Sequence, residues 1–175
     1  MIVVADTGPL LALAKIDALY LLEDLYGQVF IPPAVQVEAV MAGLAQGVSD
    51  AVALEAAYSR GMLQVRTPVS VLPVPSLLHE GERESIRLAI ELDADWLLVD
   101  DLDARHAAET NFSAIGLTTR IKGTLGVIVS AFQQEQVSRE TSIALVESLK
   151  SRPDIWIASV LCDRVVAVLQ TSPDL

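Results

Sequence analysis

Five short strand-like runs, alternating with longer stretches of helical character, constrain this chain more than any other feature. Residues 2–5, 29–31, 62–65 and 96–99 read as strands, because each is brief, largely apolar and bounded by turn or helix signals, and residues 116–121 are expected to form the last strand of the core. Gly8-Pro9 opens the first helical stretch, residues 10–26, which breaks near Gly27. Residues 34–45 read as a helix ended by the glycines at 43 and 47, and Ser49 or Asp50 caps another to Tyr58. Residues 66–78 carry three prolines and read as a surface connection. Helices are expected at 80–93, from 102 to about 110, at 123–134 and at 140–150. A strand-like piece and an apolar helix fill the tail from 155 to 169. Strands alternating with helices predict one α/β domain built on a mainly parallel sheet. In such sheets functional groups gather beyond the carboxyl ends of the strands. Asp6 and the cluster Asp100, Asp101 and Asp103 follow strands one and four, so they fall at that edge.

Composition narrows the chemistry. The 175 residues suffice for one domain with a sizeable core, and 52% of them are hydrophobic. The net charge is −11 and no basic block is visible, which argues against a general electrostatic grip on nucleic acid. A polyanionic substrate would need local basic residues or bound cations. Cys162 is the single cysteine, so a cysteine zinc site and an intramolecular disulfide are excluded, as fits a reducing cytoplasm. It reads as a small buried apolar residue. The opening MIVVADTG shows no signal-peptide pattern, and no apolar run reaches the ~20 residues of a membrane span.

Helical periodicity separates inward acids from solvated ones. Glu38 is the only charge between Asp24 and Asp50. It shares a helix side with Ala34, Met41, Ala42 and Ala45, beside an apolar stripe. In EGERESIRLAIELD, Glu82 lies four residues before Ile86, in line with the stripe of Ile86, Ala89 and Ile90. Arg83, Glu84, Arg87 and Glu91 fall on the polar side. Glu80 complements the helix dipole in the entry turn. Three aspartates crowd the segment LLVDDLDARHA, and capping one helix does not require three. Like charges ~4 Å apart cost about 4 kcal/mol at an effective dielectric of ~20. Carboxylates gathered at one sheet edge therefore call for protonation or a cation, and oxygen donors suit Mg²⁺ or Mn²⁺. His79 and His106 form no metal-binding pair and read as surface or capping residues.

Other chemistries lack their motifs. There is no phosphate loop, no dinucleotide-binding glycine pattern and no nucleophile elbow. Asp6 opens DTGP like an aspartyl phosphatase, yet Gly8 stands where a second aspartate is required.

The segments VVADTGPLLALAKIDAL, LYGQVFIPPAVQVEAV, LHEGERESIRLAIELDADWLLVDDLDAR and IKGTLGVIVSA together resemble PIN-domain proteins, and more closely the prokaryotic branch related to VapC-type toxins. The combination of G-E-x-x-x-I-x-L-A, D-D after a strand and G-T-L-G carries the resemblance, which covers roughly residues 2–137 with a weaker fit in the tail. It implies a three-layer α/β/α sandwich with a five-stranded parallel sheet, and Mg²⁺- or Mn²⁺-dependent cleavage of RNA. The implied acidic quartet is Asp6, Glu38, Glu82 and Asp101. Asp6, Glu82 and Asp101 are the expected metal ligands with Asp103 in reserve, and Asp100 reads as a structural strand-end residue. Thr124 is expected to orient a carboxylate or a water, or to cap its helix. Arg105 and Lys122 are the expected phosphate-binding residues, with Arg120 a further candidate. The resemblance also implies a cognate antitoxin and a homodimer. A non-catalytic PIN fold that binds nucleic acid or protein is the competing reading. The segment between D-D and G-T-L-G is several residues longer than the resemblance predicts, and is expected near the site edge.

Overall fold

The computed structural model describes residues 1–41, 49–69 and 73–171. Five strands, β1 (Val3–Ala5), β2 (Val29–Ile31), β3 (Leu63–Val65), β4 (Trp96–Leu98) and β5 (Arg120–Lys122), form one sheet in the order β3-β2-β1-β4-β5. Every pairing is parallel, with Val4 opposite Phe30 and Leu97 and with Leu97 opposite Ile121. Because successive side chains of a strand point to opposite faces, the short runs build two cores at once. Val3, Ala5, Val29, Ile31 and Leu98 pack to one side, and Val4, Leu97 and Val99 to the other. Burial on both faces is the usual condition of a parallel sheet and explains why the three central strands, β1, β2 and β4, are apolar throughout, whereas the edge strands β3 and β5 carry Gln64 and Arg120 and Lys122.

The first face is covered by α1 (Thr7–Lys15), α2 (Tyr20–Tyr26), α4 (Ser49–Ser59), α7 (Thr124–Gln133), α8 (Arg139–Ser151) and α9 (Ser159–Thr171). The second is covered by α5 (Glu80–Glu91) and α6 (Leu102–Ile115). The short α3 (Pro33–Gln36) passes directly into a π-helical turn, Val37–Met41. Among the described residues no helix is long and apolar enough to cross a membrane.

Several boundaries differ from the expectations for physical reasons. Residues 10–26 form two helices, separated by a turn in which Asp17 takes φ 55°. The helix at 34–45 is α-helical only to Gln36, and its expected end, with the glycines at 43 and 47, lies outside the described residues. So do residues 70–72 of the proline-rich connection. The strand-like piece at 155 is not a strand, while Cys162 and Leu169 of α9 are buried in the first core. The extra length before G-T-L-G extends α6 to Ile115, where Gly116 ends it at φ 71°. That segment is not at the site edge: α6 starts at the carboxyl end of β4 and must return to the amino end of β5. Added turns therefore project from the opposite edge of the sheet.

Candidate active site

The strand order reverses between β1 and β4, which makes the gap beyond their carboxyl ends the place where such sheets bind ligands. The Asp6 backbone N–H donates to the Leu98 carbonyl (2.9 Å), locking those two ends together. A cleft of about 740 Å³ opens there. Asp6, Glu38, Glu82, Asp100 and Asp101 all line it. The N-terminal turns of α1, α5, α6 and α7 also reach it, so positive helix ends face the carboxylates.

Asp6 is the centre of the group. It precedes α1, is only 6% exposed, and its Oδ1 has no hydrogen-bond partner among the described residues. Burial pushes its carboxyl up to about 7, and the nearby charges of Glu82 and Glu38 add to that, while the backbone amides of Thr7 and Gly8 pull the other way. Glu38 arrives on the π-helical turn and accepts a hydrogen bond from Thr7 Oγ1 (2.8 Å). Glu82, in the first turn of α5, accepts from the His79 backbone N–H (2.9 Å). Its carboxyl is also raised, first by burial and then by Asp101 and Glu38. Asp101 caps α6 by accepting from the Ala104 N–H (2.8 Å). The four acids thus feel one another across a single cleft, although 32 to 95 positions separate Asp6 from the other three in sequence.

Glycines give the acids room. A Cβ on Gly81 would stand 2.8 Å from Glu38 Oε2 and 3.3 Å from Asp6 Oδ1, so a side chain before Glu82 would displace the Glu38 carboxylate. A Cβ on Gly123 would meet Asp100 Oδ1 at 2.6 Å, and one on Gly126 would meet Lys122 Cγ at 2.6 Å. The G-T-L-G segment is therefore a socket. Its glycines clear space, and buried Thr124 holds Asp100 from two points, Oγ1 to Oδ2 (2.5 Å) and N–H to Oδ1 (2.8 Å). Of the alternatives for Thr124, orienting a carboxylate is what the geometry shows. Burial raises the Asp100 carboxyl, and the Thr124 bonds and Arg105 oppose that.

The expected residues divide as follows. Asp6, Glu38, Glu82 and Asp101 come together. Asp103 does not join them: it is exposed in the first turn of α6 and does not line the cleft, whereas Asp101, Leu102 and Arg105 do. Arg105 lines the cleft, and its Nη1 donates to the Val99 carbonyl (3.3 Å). Lys122 also borders it, but its ammonium turns to Ser130 Oγ (2.6 Å) and Tyr26 Oη (3.2 Å) and lies 3.9 Å from the Trp96 ring centre. Burial and Arg120 lower its basicity. Arg120 sits at the amino end of β5, away from the cleft, 4.0 Å above the same ring. One contact escaped the sequence reading. Glu84 is not simply solvated, since its Oε2 accepts from the Ala34 N–H (2.9 Å) and so anchors α3. Asp100, expected to be structural, is structural and also faces the cleft. The G-T-L-G spacing was the available signal for its socket.

Among the described residues, no three His, Cys, Asp or Glu side chains stand close enough, as placed, to hold an ion. Their chemistry nevertheless fits one. The donors are all oxygen, the buried Asp6 Oδ1 lacks a partner, and carboxylates without a cation repel one another and stay apart.

The family model DUF3368, described as a PIN domain, matches residues 2–171. No curated protein and no solved structure matches the chain. PIN domains are generally nucleases and generally use divalent metals. With the five-stranded parallel sheet and nearly the whole length matched, the chain belongs to the PIN-domain family.

Proposed function

We propose that the protein is a divalent-metal-dependent endoribonuclease, the toxin-like member of a toxin–antitoxin pair, which hydrolyses RNA phosphodiester bonds. The convergence of Asp6, Glu38, Glu82 and Asp101 on one cleft, around a buried Asp6 oxygen without a partner, carries the reading. Asp6, Glu82 and Asp101 would hold Mg²⁺ or Mn²⁺, with Glu38 beside them. When bound, the cation supplies acidification of water and charge stabilisation at the phosphate. Thr7 fixes Glu38 through its Oε2, and that carboxylate is placed to orient a water or accept its proton. Arg105, steadied by the Val99 carbonyl, offers a guanidinium for a phosphate oxygen at the same cleft. Asp100, gripped by Thr124, fixes the β4 end from which Asp101 departs. A homodimer and a cognate antitoxin belong to this reading by family resemblance, as does action in the cytoplasm.

The test is RNA cleavage by the purified chain with Mn²⁺ or Mg²⁺. The wild type should cut RNA, and Asp6→Asn should be inactive while its circular dichroism stays native. Equal activity in the variant would sink the proposal. One observation favours a non-catalytic binding module instead: Glu38, Glu82 and Asp101 each already accept a bond from their own chain. Calorimetry decides between the two, because a module without catalysis would show no Mn²⁺ binding at millimolar concentration.

A further inference from the structure

One side chain at the cleft mouth is not explained by the fold. Trp156 lines the cleft and is 98% exposed, the most exposed of the large apolar residues described. Tryptophan buries more apolar area than most side chains, so full exposure forgoes a large hydrophobic gain. Looseness of the loop does not account for it. Ile155 and Ile157 on either side are partly buried and pack on the first core, so the alternation turns Trp156 outward. The loop is clamped besides. Lys15 Nζ contacts both the carbonyl and Oδ2 of Asp154 at 3.0 Å, Arg152 binds the same carboxylate, and Arg152 Nη1 donates to the Lys15 carbonyl (3.0 Å). An indole is therefore turned outward beside a cleft floored with carboxylates.

The charge of the molecule indicates what the indole meets. With 23 acidic against 12 basic residues, general attraction for a polyanion is absent. A strand of RNA at this cleft needs a contribution to affinity that does not depend on charge, and a base stacked on an aromatic face provides one. We infer that Trp156 is the stacking platform for an unpaired nucleobase of single-stranded RNA, placing the neighbouring phosphodiester over the acidic cleft. The inference rests on the ribonuclease reading for its substrate class, and it adds a residue outside the acidic group that fixes the strand's position. Trp156 touches the base and takes no part in bond breaking.

The experiment uses the full chain in EDTA, where no cleavage competes, with oligoadenylate and an abasic ribose-phosphate oligomer of equal length as probes. Trp96 is the only other tryptophan, so Trp156→Phe supplies the background emission. Oligoadenylate should quench the Trp156 emission, and the abasic oligomer should not. Trp156→Ala should weaken oligoadenylate binding by about tenfold and abasic binding not at all, while Trp156→Phe should retain most of the affinity. In Mn²⁺ the same Trp156→Ala variant should show a raised KM with kcat nearly unchanged. Equal affinity for the two oligomers, or unaltered binding by Trp156→Ala, would overturn the inference. So would a change in sedimentation of Trp156→Ala, which would make the indole a contact between copies. Quenching without cleavage in Mn²⁺ would remove the ribonuclease reading and uphold the stacking site. Cleavage with wild-type KM by Trp156→Ala would do the reverse.

Discussion

At the scale of single residues, space matters as much as charge. Gly81 occupies the first turn of α5, where alanine would ordinarily gain up to about 1 kcal/mol in helix propensity. Its added methyl, however, would stand 2.8 Å from Glu38 Oε2, and a flexible glutamate end can move away cheaply. Gly81→Ala should therefore unfold within about 1 kcal/mol of the wild type in a urea titration and lose at least about tenfold in RNA cleavage, through displacement of Glu38. Thr124→Val tests the other socket. Removing the hydroxyl leaves a buried Asp100 oxygen without its donor, which should cost about 1–3 kcal/mol, while Thr124→Ser should restore most of it. Periodicity turned Glu82 inward, as it stands in the cleft, because its direction follows from its place on the helix. It misjudged Glu84, whose partner Ala34 is fifty positions away. A helical wheel shows which way a side chain points but not which neighbouring element stands there. Asp103 stands apart from the cleft for the same reason: three aspartates are equivalent in the sequence, and only the turn from β4 into α6 separates them.

At the scale of elements, the strands were legible and the helix ends less so. Runs such as VVA and VFI, with burial on both faces, have no stable alternative to a central parallel strand, and the first four strands appear where the apolar pattern puts them, while the fifth, Arg120–Lys122, overlaps only the end of the expected 116–121 because it lacks such a pattern. The break at Asp17 and the π-helical turn at Val37–Met41 have no comparable signal, since both answer to packing between elements. That turn carries Glu38 into the cleft, and π-helical turns, rare in general, are frequently found at functional sites. Its support is the bond from the Ala34 N–H to Glu84, which fastens the start of α3 to α5. Glu84→Ala should cost about 1 kcal/mol of stability, as the loss of a helix cap does. It should also lower cleavage, because α3 and the turn that bears Glu38 are no longer fixed. Glu84→Gln keeps a carbonyl acceptor and should recover most of both. Thermal unfolding and RNA cleavage measured on the same preparations check this, and a variant that loses stability alone would detach Glu38 placement from α3.

At the scale of the whole molecule, the acidic cleft opposes folding, and pH sets by how much. The Asp6 carboxyl titrates near 7 in the folded protein and near 3.8 when exposed in the unfolded chain. Between those values the folded state retains a proton that the unfolded state has released. Stability therefore falls as pH rises from about 4 to about 7, is lowest above 7, and is unaffected by this group below 4. The gap corresponds to a penalty on the order of 4 kcal/mol when Asp6 is ionised. Glu82 and Asp100, both raised, act in the same direction. A cation bound among the acids favours their ionised forms and reverses the effect. In metal-free buffer the urea midpoint should fall from pH 5 to pH 8, and Asp6→Asn should remove most of that slope and exceed the wild type at pH 8. Millimolar Mn²⁺ at pH 8 should raise the wild-type midpoint and leave Asp6→Asn nearly unmoved. A wild-type midpoint that rises with pH in EDTA would show that Asp6 is ionised and satisfied within its own chain. The cluster would then be structural, with no need of a metal.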